Sequence, residues 1–594
     1  MRLRLWKLSL RRQQPAPTSI PTMPVEKKVI PAELIILFIL LLVLGLAVRV
    51  CPIFAESQLR ATYGRYFFVD DDSWWHQHLI DQILQYGQRL DPDPMSWAPE
   101  GRPMTHPPGY HFLIAYVSKL FPVPAYDTAF WFVAVSGTLC IIAWFLLSRE
   151  IFGTFGGFLS AFLYAVTPIT VSKTIVGKSR PPTITEAFLI LGLWLFLYIQ
   201  RTEKKSYWMV LPGIVMGISA LFWEGTLYFY ITLILAYWIA SILFKQATRQ
   251  THLLCLTTLI VSMAVALTWY GPIFLRFGLD PHANTPPNVL KNTLFYQTEG
   301  IAELTLFGGN FSLIGALITY PILVFRALKD KQKLMKNFFG LTWMTLGLAA
   351  FLMGFGRRFV DILFILGIIM VFVYGVKTIW DKTSSWRPRI AILLGVLIIT
   401  NAYITATGLV QMRIFYEADV EMTKAIGVEI PANSIILSWW SEGGFLAGAG
   451  EKNVFDLYLQ WVPSWAKTRD IQVATFYLTE NETEALAILK NFNATYVLVN
   501  VLYCYPYIFK QILDSKGINA KPEEYFWFYK TATGSLGEFG PTEKGRGTLL
   551  ARLVCNTQTG NILKQWPMPQ PPSDHFQLVW KNQNSEIMVY KVIQ

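Results

Sequence analysis

The chain has 594 residues, of which 53% are hydrophobic, 15% aromatic and only 15% charged, against about 25% charged in an ordinary soluble domain. That deficit excludes a typical cytosolic enzyme. The formal charge of +12 comes from 51 Lys and Arg against 39 Asp and Glu, yet from Met412 onward 16 basic residues meet 18 acidic ones. The excess therefore lies in the first 411 positions, and no segment shows the basic patch on a soluble domain that nucleic-acid binding calls for.

Arg2, Arg4, Lys7, Arg11, Arg12, Lys27 and Lys28 precede the first apolar run, which marks residues 1–30 as a cytoplasmic tail. The run that follows is long and has no small-residue cleavage pattern, unlike a removable signal. Apolar runs predict 11 spans, near 31–50, 128–147, 152–172, 187–200, 207–222, 226–243, 254–275, 311–326, 337–354, 359–376 and 389–410, most of them close to the roughly 20 residues a membrane helix needs. Threaded from an inside N-terminus, every inside loop is basic, from Arg149, through Arg201 and Lys245, to the Arg326–Lys336 and Lys377–Arg389 stretches, as the positive-inside rule requires. Residues 31–411 thus read as a multi-span membrane domain. Its long outer loops are 51–127 and 276–310, and residues 412–594 form a final segment on the outer side.

That last segment is long enough for its own core. Alternating apolar runs predict strands at Ser434–Trp440, Ala494–Val501, Leu549–Val554, Gln577–Trp580 and Ile587–Val592, and Glu482–Leu489 has helical spacing, so a mixed α/β domain is expected. The five cysteines, at 51, 140, 255, 504 and 555, have neither CxxC spacing nor a paired framework; a Cys504–Cys555 pair is the one disulfide to consider.

Acids gather at the outer edge of the spans. Asp70-Asp71-Asp72, followed by Ser73-Trp74-Trp75-His76, is either an oxygen-rich site for a hard cation, Mg²⁺ or Mn²⁺, or a solvated turn and helix cap. Glu186 and Glu303 precede later spans and are able to converge on the same ion, or to cap a helix and face solvent. Arg357 and Arg358 stand at an outer end against the charge trend, where a phosphate or carboxylate partner competes with simple snorkelling. Trp439 and Trp440, before Ser441-Glu442-Gly443-Gly444, form a Trp pair at a strand end, which is either core or an exposed recognition pocket.

In order along the chain these pieces resemble the catalytic subunit of oligosaccharyltransferase, a GT-C membrane enzyme of the archaeal and bacterial single-subunit type. Asp70-Asp71-Asp72 with its aromatic pair and His76 is similar to the family's first acidic motif. Trp97-Ala98-Pro99-Glu100-Gly101 and Pro107-Pro108-Gly109, Ile301-Ala302-Glu303, Arg358-Phe359, Trp439-Trp440-Ser441-Glu442-Gly443 and Asn493–Val499 are similar to successive later elements. The resemblance implies transfer of a glycan from a polyprenyl (dolichyl-type) phosphate carrier to the Asn of N-x-Ser/Thr sequons, inverting at the sugar, with Mn²⁺ or Mg²⁺ as cofactor. It further implies Asp72, Glu186 and Glu303 as catalytic acids and, with Asp70, as metal ligands. Arg358 would hold the carrier phosphate, and Trp439, Trp440, Ser441 and Glu442 the acceptor. The implied partners are a lipid-linked oligosaccharide donor, a sequon-bearing polypeptide and the plasma membrane, with the protein acting as a single subunit.

Two departures stand out. The second acidic motif offers Glu186 with apolar Ile184 two positions earlier, and Ser441 replaces the Asp of W-W-D. Lys510 and Ile512 are weak candidates for completing the sequon pocket. A related GT-C enzyme with another acceptor, or an inactive paralogue, is the rival reading. A non-enzymatic transporter would need polar midplane residues, which the apolar spans lack.

Overall fold

The computed structural model describes residues 31–56, 60–62, 64–202, 206–281, 283–284, 310–331, 335, 337–352, 365–412, 421–423, 425–426, 428–456, 461–530, 536–555, 569–583 and 586–593. Glu303, Arg357 and Arg358 lie outside them. Contacts group the chain into two units, Met1–Leu40 and Leu41–Gln594. In the first, the described residues from Ala32 are helical; the second contains every site discussed below.

Each of the 11 apolar runs falls on helix where it is described. Among the described residues seven helices are long and apolar enough to cross a membrane, Tyr207–Ala220 and Phe338–Ala349 are shorter apolar helices, and Ile365–Lys382 is a further helix. The runs 128–147 and 152–172 are joined, because one helix extends over Ala125–Val166 and breaks its geometry only at Gly153, with φ 78° and ψ −178°. A side chain there would resist that conformation, so one glycine turns a 42-residue helix into two spans.

Outside the spans, the segment after the first one carries helix Asp71–Tyr86, and the C-terminal segment carries a five-stranded sheet. The strands are β1 (Ile435–Leu437), β2 (Lys452–Asn453), β3 (Tyr496–Asn500), β4 (Phe526–Lys530), β5 (Leu536–Pro541), β6 (Phe576–Lys581) and β7 (Ile587–Val592). Their order is β2-β1-β3-β7-β6, with β4 and β5 paired separately. The β2, β1 and β3 strands run parallel, and β7 is antiparallel to β3 with Tyr496 opposite Lys591 and Asn500 opposite Ile587. All five residues of β3 are buried, as a central strand covered on both faces requires.

Four of the five expected strands, and the helix over Glu482–Asn491, are present. The fifth is corrected: Leu549–Cys555 is a helix. Leu, Ala and Arg are strong helix formers, the Thr548 hydroxyl accepts from the Ala551 N–H at its start, and its apolar residues are buried all round, so no alternation between faces identified its true period. Of the two states left open for Cys504 and Cys555, the structure has both as free thiols.

The segment 64–127 and the C-terminal segment share one core. Phe68 meets Trp74 edge-on at 5.5 Å, Trp74 meets Phe445 at 5.3 Å, and Trp439 meets Phe455 at 5.4 Å. The Asn453 side chain donates to the Met95 carbonyl at 3.1 Å and the Ala98 N–H to the Asn453 carbonyl at 2.9 Å. Arg102 joins the two regions by a buried ion pair to Asp456 at 2.7 Å, with its guanidinium stacked 4.7 Å above Trp75.

Candidate active site

Helix Asp71–Tyr86 begins at the acidic triplet, and the three carboxylates separate there into three roles. Asp70 is the N-cap: its Oδ1 accepts from the Ser73 N–H at 3.0 Å and also from the Ser73 hydroxyl, satisfying an end group the helix leaves open. Asp71 turns toward the helix Gly443–Ala449, where its Oδ1 accepts from the Phe445 N–H at 2.5 Å. Burial, then the charges of Asp456 and Asp72, push its carboxyl well above the usual range. Asp72 is the accessible one, with its side chain 39% exposed.

The Gly443 helix reaches Asp71 because two glycines allow it. A Cβ on Gly444 would stand 2.7 Å from the Asp71 carbonyl oxygen, and one on Gly448 would stand 2.6 Å from the Trp74 carbonyl oxygen. Thus Gly444 and Gly448, one turn apart, form the close-packing face that fixes the W-W-S-E-G segment on the acidic helix.

Asp70 and Asp72 are bridged by a residue the sequence left without a role. Arg180 Nη2 lies 2.8 Å from Asp70 Oδ2 and 2.9 Å from Asp72 Oδ2. Burial opposes its charge, but the two carboxylates outweigh that and raise its pKa further. A signal for it did exist: Arg180 lies in a loop threaded to the outer side, the same anomaly that singled out Arg357 and Arg358.

Glu186 follows a different course. Its Oε2 accepts from the Tyr164 hydroxyl at 3.0 Å, within a cluster that includes the fully buried Arg49, whose Nη1 donates to the Gly45 and Ala165 carbonyls at 2.9 and 3.1 Å. Among the described residues no three His, Cys, Asp or Glu side chains are arranged to hold a metal ion. Of the expected set, Asp70 and Asp72 each offer one oxygen to Arg180 and Glu186 accepts from Tyr164 through one oxygen, while Glu303 lies outside the described residues.

The acceptor motif is also rearranged. Trp439 is only 1% exposed and packs on Phe455, so it is core rather than a contact for a ligand. Trp440 is half-buried and donates Nε1 to Gln511 Oε1 at 3.1 Å. Ser441 donates its hydroxyl to Glu442 Oε2 at 2.6 Å, and the same carboxylate accepts from Asn500 Nδ2 at 3.0 Å and from the Tyr503 hydroxyl. Of the two weak candidates, Lys510 pairs with Asp514 and Ile512 is fully buried. The residue between them, Gln511, is the one that meets Trp440.

Behind the acidic helix lies a layer of histidines. His76 Nδ1 and His111 Nε2 are 2.8 Å apart, Arg89 Nη1 is 3.3 Å from His111 Nδ1, and His106 packs edge-on against His76. Burial holds all three imidazoles well below their ordinary pKa, His76 down to about 3. They are neutral supports for the helix that carries Asp72.

Relatives place this geometry. The chain is 27% identical over 163 residues to dolichyl-phosphooligosaccharide-protein glycotransferase 1 of Archaeoglobus fulgidus, covering 27% of this chain and 26% of that protein. It is also 27% identical over 198 residues to glycotransferase 2 of the same organism, covering 32% and 30%. The aligned part thus spans less than a third of the length of these curated relatives. Among solved structures, the apo oligosaccharyltransferase of Archaeoglobus fulgidus superposes with a TM-score of 0.68 at 15% identity, over 93% of this chain and 80% of that one. The archaeal oligosaccharyltransferase AglB of that organism, in complex with an inhibitory peptide and a dolichol-phosphate, gives 0.65 at 16% identity over the same shares. The fold is theirs: a GT-C type helical membrane domain followed by a mixed α/β domain. Residues 38–422 match the family described as oligosaccharyl transferase STT3, N-terminal, and the chain belongs to that family.

Proposed function

We propose that the chain is an oligosaccharyltransferase, moving a glycan from a polyprenyl-phosphate carrier to an asparagine side chain, with inversion at the sugar. The observation that carries this reading is the half-exposed Asp72 carboxylate, set at the start of a rigidly packed outer helix in a chain of the STT3 family. Relatives named as dolichyl-phosphooligosaccharide-protein glycotransferases, and an archaeal homologue solved with a peptide and a dolichol-phosphate, support the same donor and acceptor classes.

An amide nitrogen is a poor nucleophile because its lone pair is delocalised into the carbonyl. A fixed carboxylate that accepts both amide N–H bonds turns the nitrogen toward the sugar and favours the less delocalised form. Asp72 has the accessibility for this task, and Arg180 holds the orientation of its carboxylate. As the C–O bond to the carrier breaks, the N–C bond forms, the carrier leaves as a phosphate anion, and the nitrogen releases a proton. Arg358 is the proposed contact for that anion, and Glu303 the proposed further acid. In this reading the acidic helix and the C-terminal domain face the outer side of the plasma membrane and the N-terminus is cytoplasmic, which the basic loops on the opposite side support. The protein acts as a single subunit in this reading.

One observation favours a shift in acceptor. The Ser441 hydroxyl and the Glu442 carboxylate are bonded to each other, to Asn500 and to Tyr503, which leaves no carboxylate of this motif directed at a sequon hydroxyl. An enzyme with relaxed or altered acceptor choice is the second reading.

The test uses purified protein, a fluorescent Asn-x-Thr peptide and a lipid-linked oligosaccharide extract. A mobility shift lost in Asp72→Ala and absent with Asn-x-Ala supports sequon transfer. A shift equal for both peptides supports the second reading, and no shift with a donor active on another oligosaccharyltransferase contradicts the first.

A further inference from the structure

Arg49 lies in the last turn of helix Ala32–Val50, at the end of the first span that leads into the acidic helix, and its side chain is fully buried. A guanidinium keeps its charge, and a charge enclosed among membrane helices is costly unless a counter-charge stands by. The surrounding backbone supplies part of what it needs. Nη1 donates to the Gly45 and Ala165 carbonyls at 2.9 and 3.1 Å, whereas Nε and Nη2 have no acceptor among the described residues. The slot is tight, since a Cβ on Gly137 would stand 2.8 Å from Nε. Arg49 is therefore packed into the helices at close quarters, and its charge must be answered from nearby.

The groups whose charges bear on Arg49 are Tyr164, Cys140 and Glu186, and the carboxylate among them is Glu186. Tyr164 stands between the two ions. The Arg49 guanidinium carbon is 5.8 Å from the centre of its ring, within the range at which a cation is drawn to an aromatic face, and its hydroxyl donates to Glu186 Oε2 at 3.0 Å. The ring itself is fully buried and packs against Trp144 at 5.7 Å, while the Tyr164 carbonyl accepts from the Thr170 hydroxyl at 2.7 Å. A hydroxyl on so fixed a ring points one way, so the half-buried Glu186 carboxylate is held in one orientation.

Backbone bonds extend the same frame to the acidic helix. The Val176 N–H donates to the Arg49 carbonyl at 3.1 Å, the Gly177 N–H to the Phe130 carbonyl at 2.9 Å, and the Val69 N–H, immediately before Asp70, to the Gly177 carbonyl at 3.0 Å. The end of the first span, the turn at Gly177 and the start of the acidic helix are thus one hydrogen-bonded unit, and Arg49 belongs to it through its main chain as well as its side chain.

We infer that Arg49 and Tyr164 are positioning residues for Glu186: Arg49 is the buried counter-charge of the Glu186 carboxylate, and Tyr164 fixes the direction in which that carboxylate serves transfer. The inference rests on the transferase reading, and its test separates the two. Full-length protein in detergent is used, with Mn²⁺ present throughout. Thermal midpoints are measured for wild type, Arg49→Met, Glu186→Gln and the double variant. Loss of Glu186 strands a buried charge, so Arg49→Met should cost no more than about half as much in the Glu186→Gln background as in wild type. Additive losses overturn the inference, because uncoupled side chains add. Peptide transfer is then timed for wild type and Tyr164→Phe, which removes one hydroxyl and keeps the ring. The expected result is a kcat lower by about tenfold, the scale of one hydrogen bond to a charged group, with KM for peptide and for lipid-linked donor within about twofold of wild type. An unchanged kcat, with or without a lower midpoint, is the signature of a merely structural contact and overturns the inference as well. Should Arg49→Met fail to fold, Tyr164→Phe completes the thermal cycle with Glu186→Gln and decides in its place. Should wild type show no transfer, the transferase reading fails, while the thermal cycle still decides whether Arg49 and Glu186 are coupled.

Discussion

Carboxylates in the first outer loop and carboxylates in the C-terminal segment have opposite settings. Asp70 and Asp72 both contact the Arg180 guanidinium, and Asp72 remains accessible. Glu442, only 7% exposed, is surrounded by hydroxyl and amide donors from Ser441, Asn500 and Tyr503, while Asp470 and Glu451 are fully buried and pushed up to about 7 by burial. An acid next to a conspicuous sequence motif is therefore not equivalent to an acid available for chemistry. What separates them is whether the local backbone leads the side chain toward a cation at the surface or into a polar pocket of the core.

The largest expected effect is on the accessible side. Asp72→Asn should lower peptide transfer by at least about 100-fold while leaving the thermal midpoint close to that of wild type, because the side chain is half-exposed and contributes little burial. Equal losses of activity and stability would erase the contrast between the two regions. Glu442→Ala should do the reverse and destabilise by roughly 3 kcal/mol, since it strands the Asn500 amide and the Tyr503 hydroxyl in the core. Thermal unfolding of the purified protein checks this, and a stable Glu442→Ala variant that has lost only acceptor binding would move Glu442 to the functional class.

The pH dependence sharpens the comparison. Asp470 has a folded pKa raised to about 7, chiefly by desolvation, above an unfolded value of about 3.9. Its neutral form is therefore favoured in the folded state: this contribution to stability is complete below the unfolded value and is lost as pH rises through about 7. Asp470→Asn should thus match wild type near about pH 4 and melt several degrees higher near about pH 8; identical pH profiles would contradict it. Glu451 acts in the same direction, so part of the slope should persist. The smallest effect is expected from Gln511→Ala, which removes one hydrogen bond from Trp440 at about 1 kcal/mol. A rise in the KM for peptide without a change in kcat would place Gln511 at the acceptor edge, whereas unchanged kinetics would confine it to support of Trp440.

Elements whose signal is local were legible in the sequence. The spans are apolar runs long enough to stand out, and even the Ala125–Val166 helix yielded two correct runs because Gly153 divides it. β3 was readable as an apolar strand within Ala494–Val501, and the acidic triplet was readable as a possible helix cap. What escaped depends on contacts distant in sequence. Leu549–Cys555 is buried on every side and so shows no face to identify its period. Trp439 and Trp440 are adjacent yet point to different surroundings, one to Phe455 and one to Gln511. Arg180 meets Asp70 and Asp72 only because the Gly177 segment hydrogen-bonds beside Val69. Glu186 has the expected residue type, but Tyr164 lies across the helix pair to receive it, which no spacing rule conveys.

The central claim is that the chain glycosylates an asparagine side chain through Asp72, and the most direct test identifies the bond that forms. Wild type and Asp72→Asn are incubated with an Asn-x-Thr peptide and lipid-linked oligosaccharide, and the product is sequenced by mass spectrometry. A glycan mass on the Asn side chain with wild type, reduced at least about 100-fold by Asp72→Asn, is the expected result. A glycan on another residue, or an equal yield from both proteins, would contradict the account.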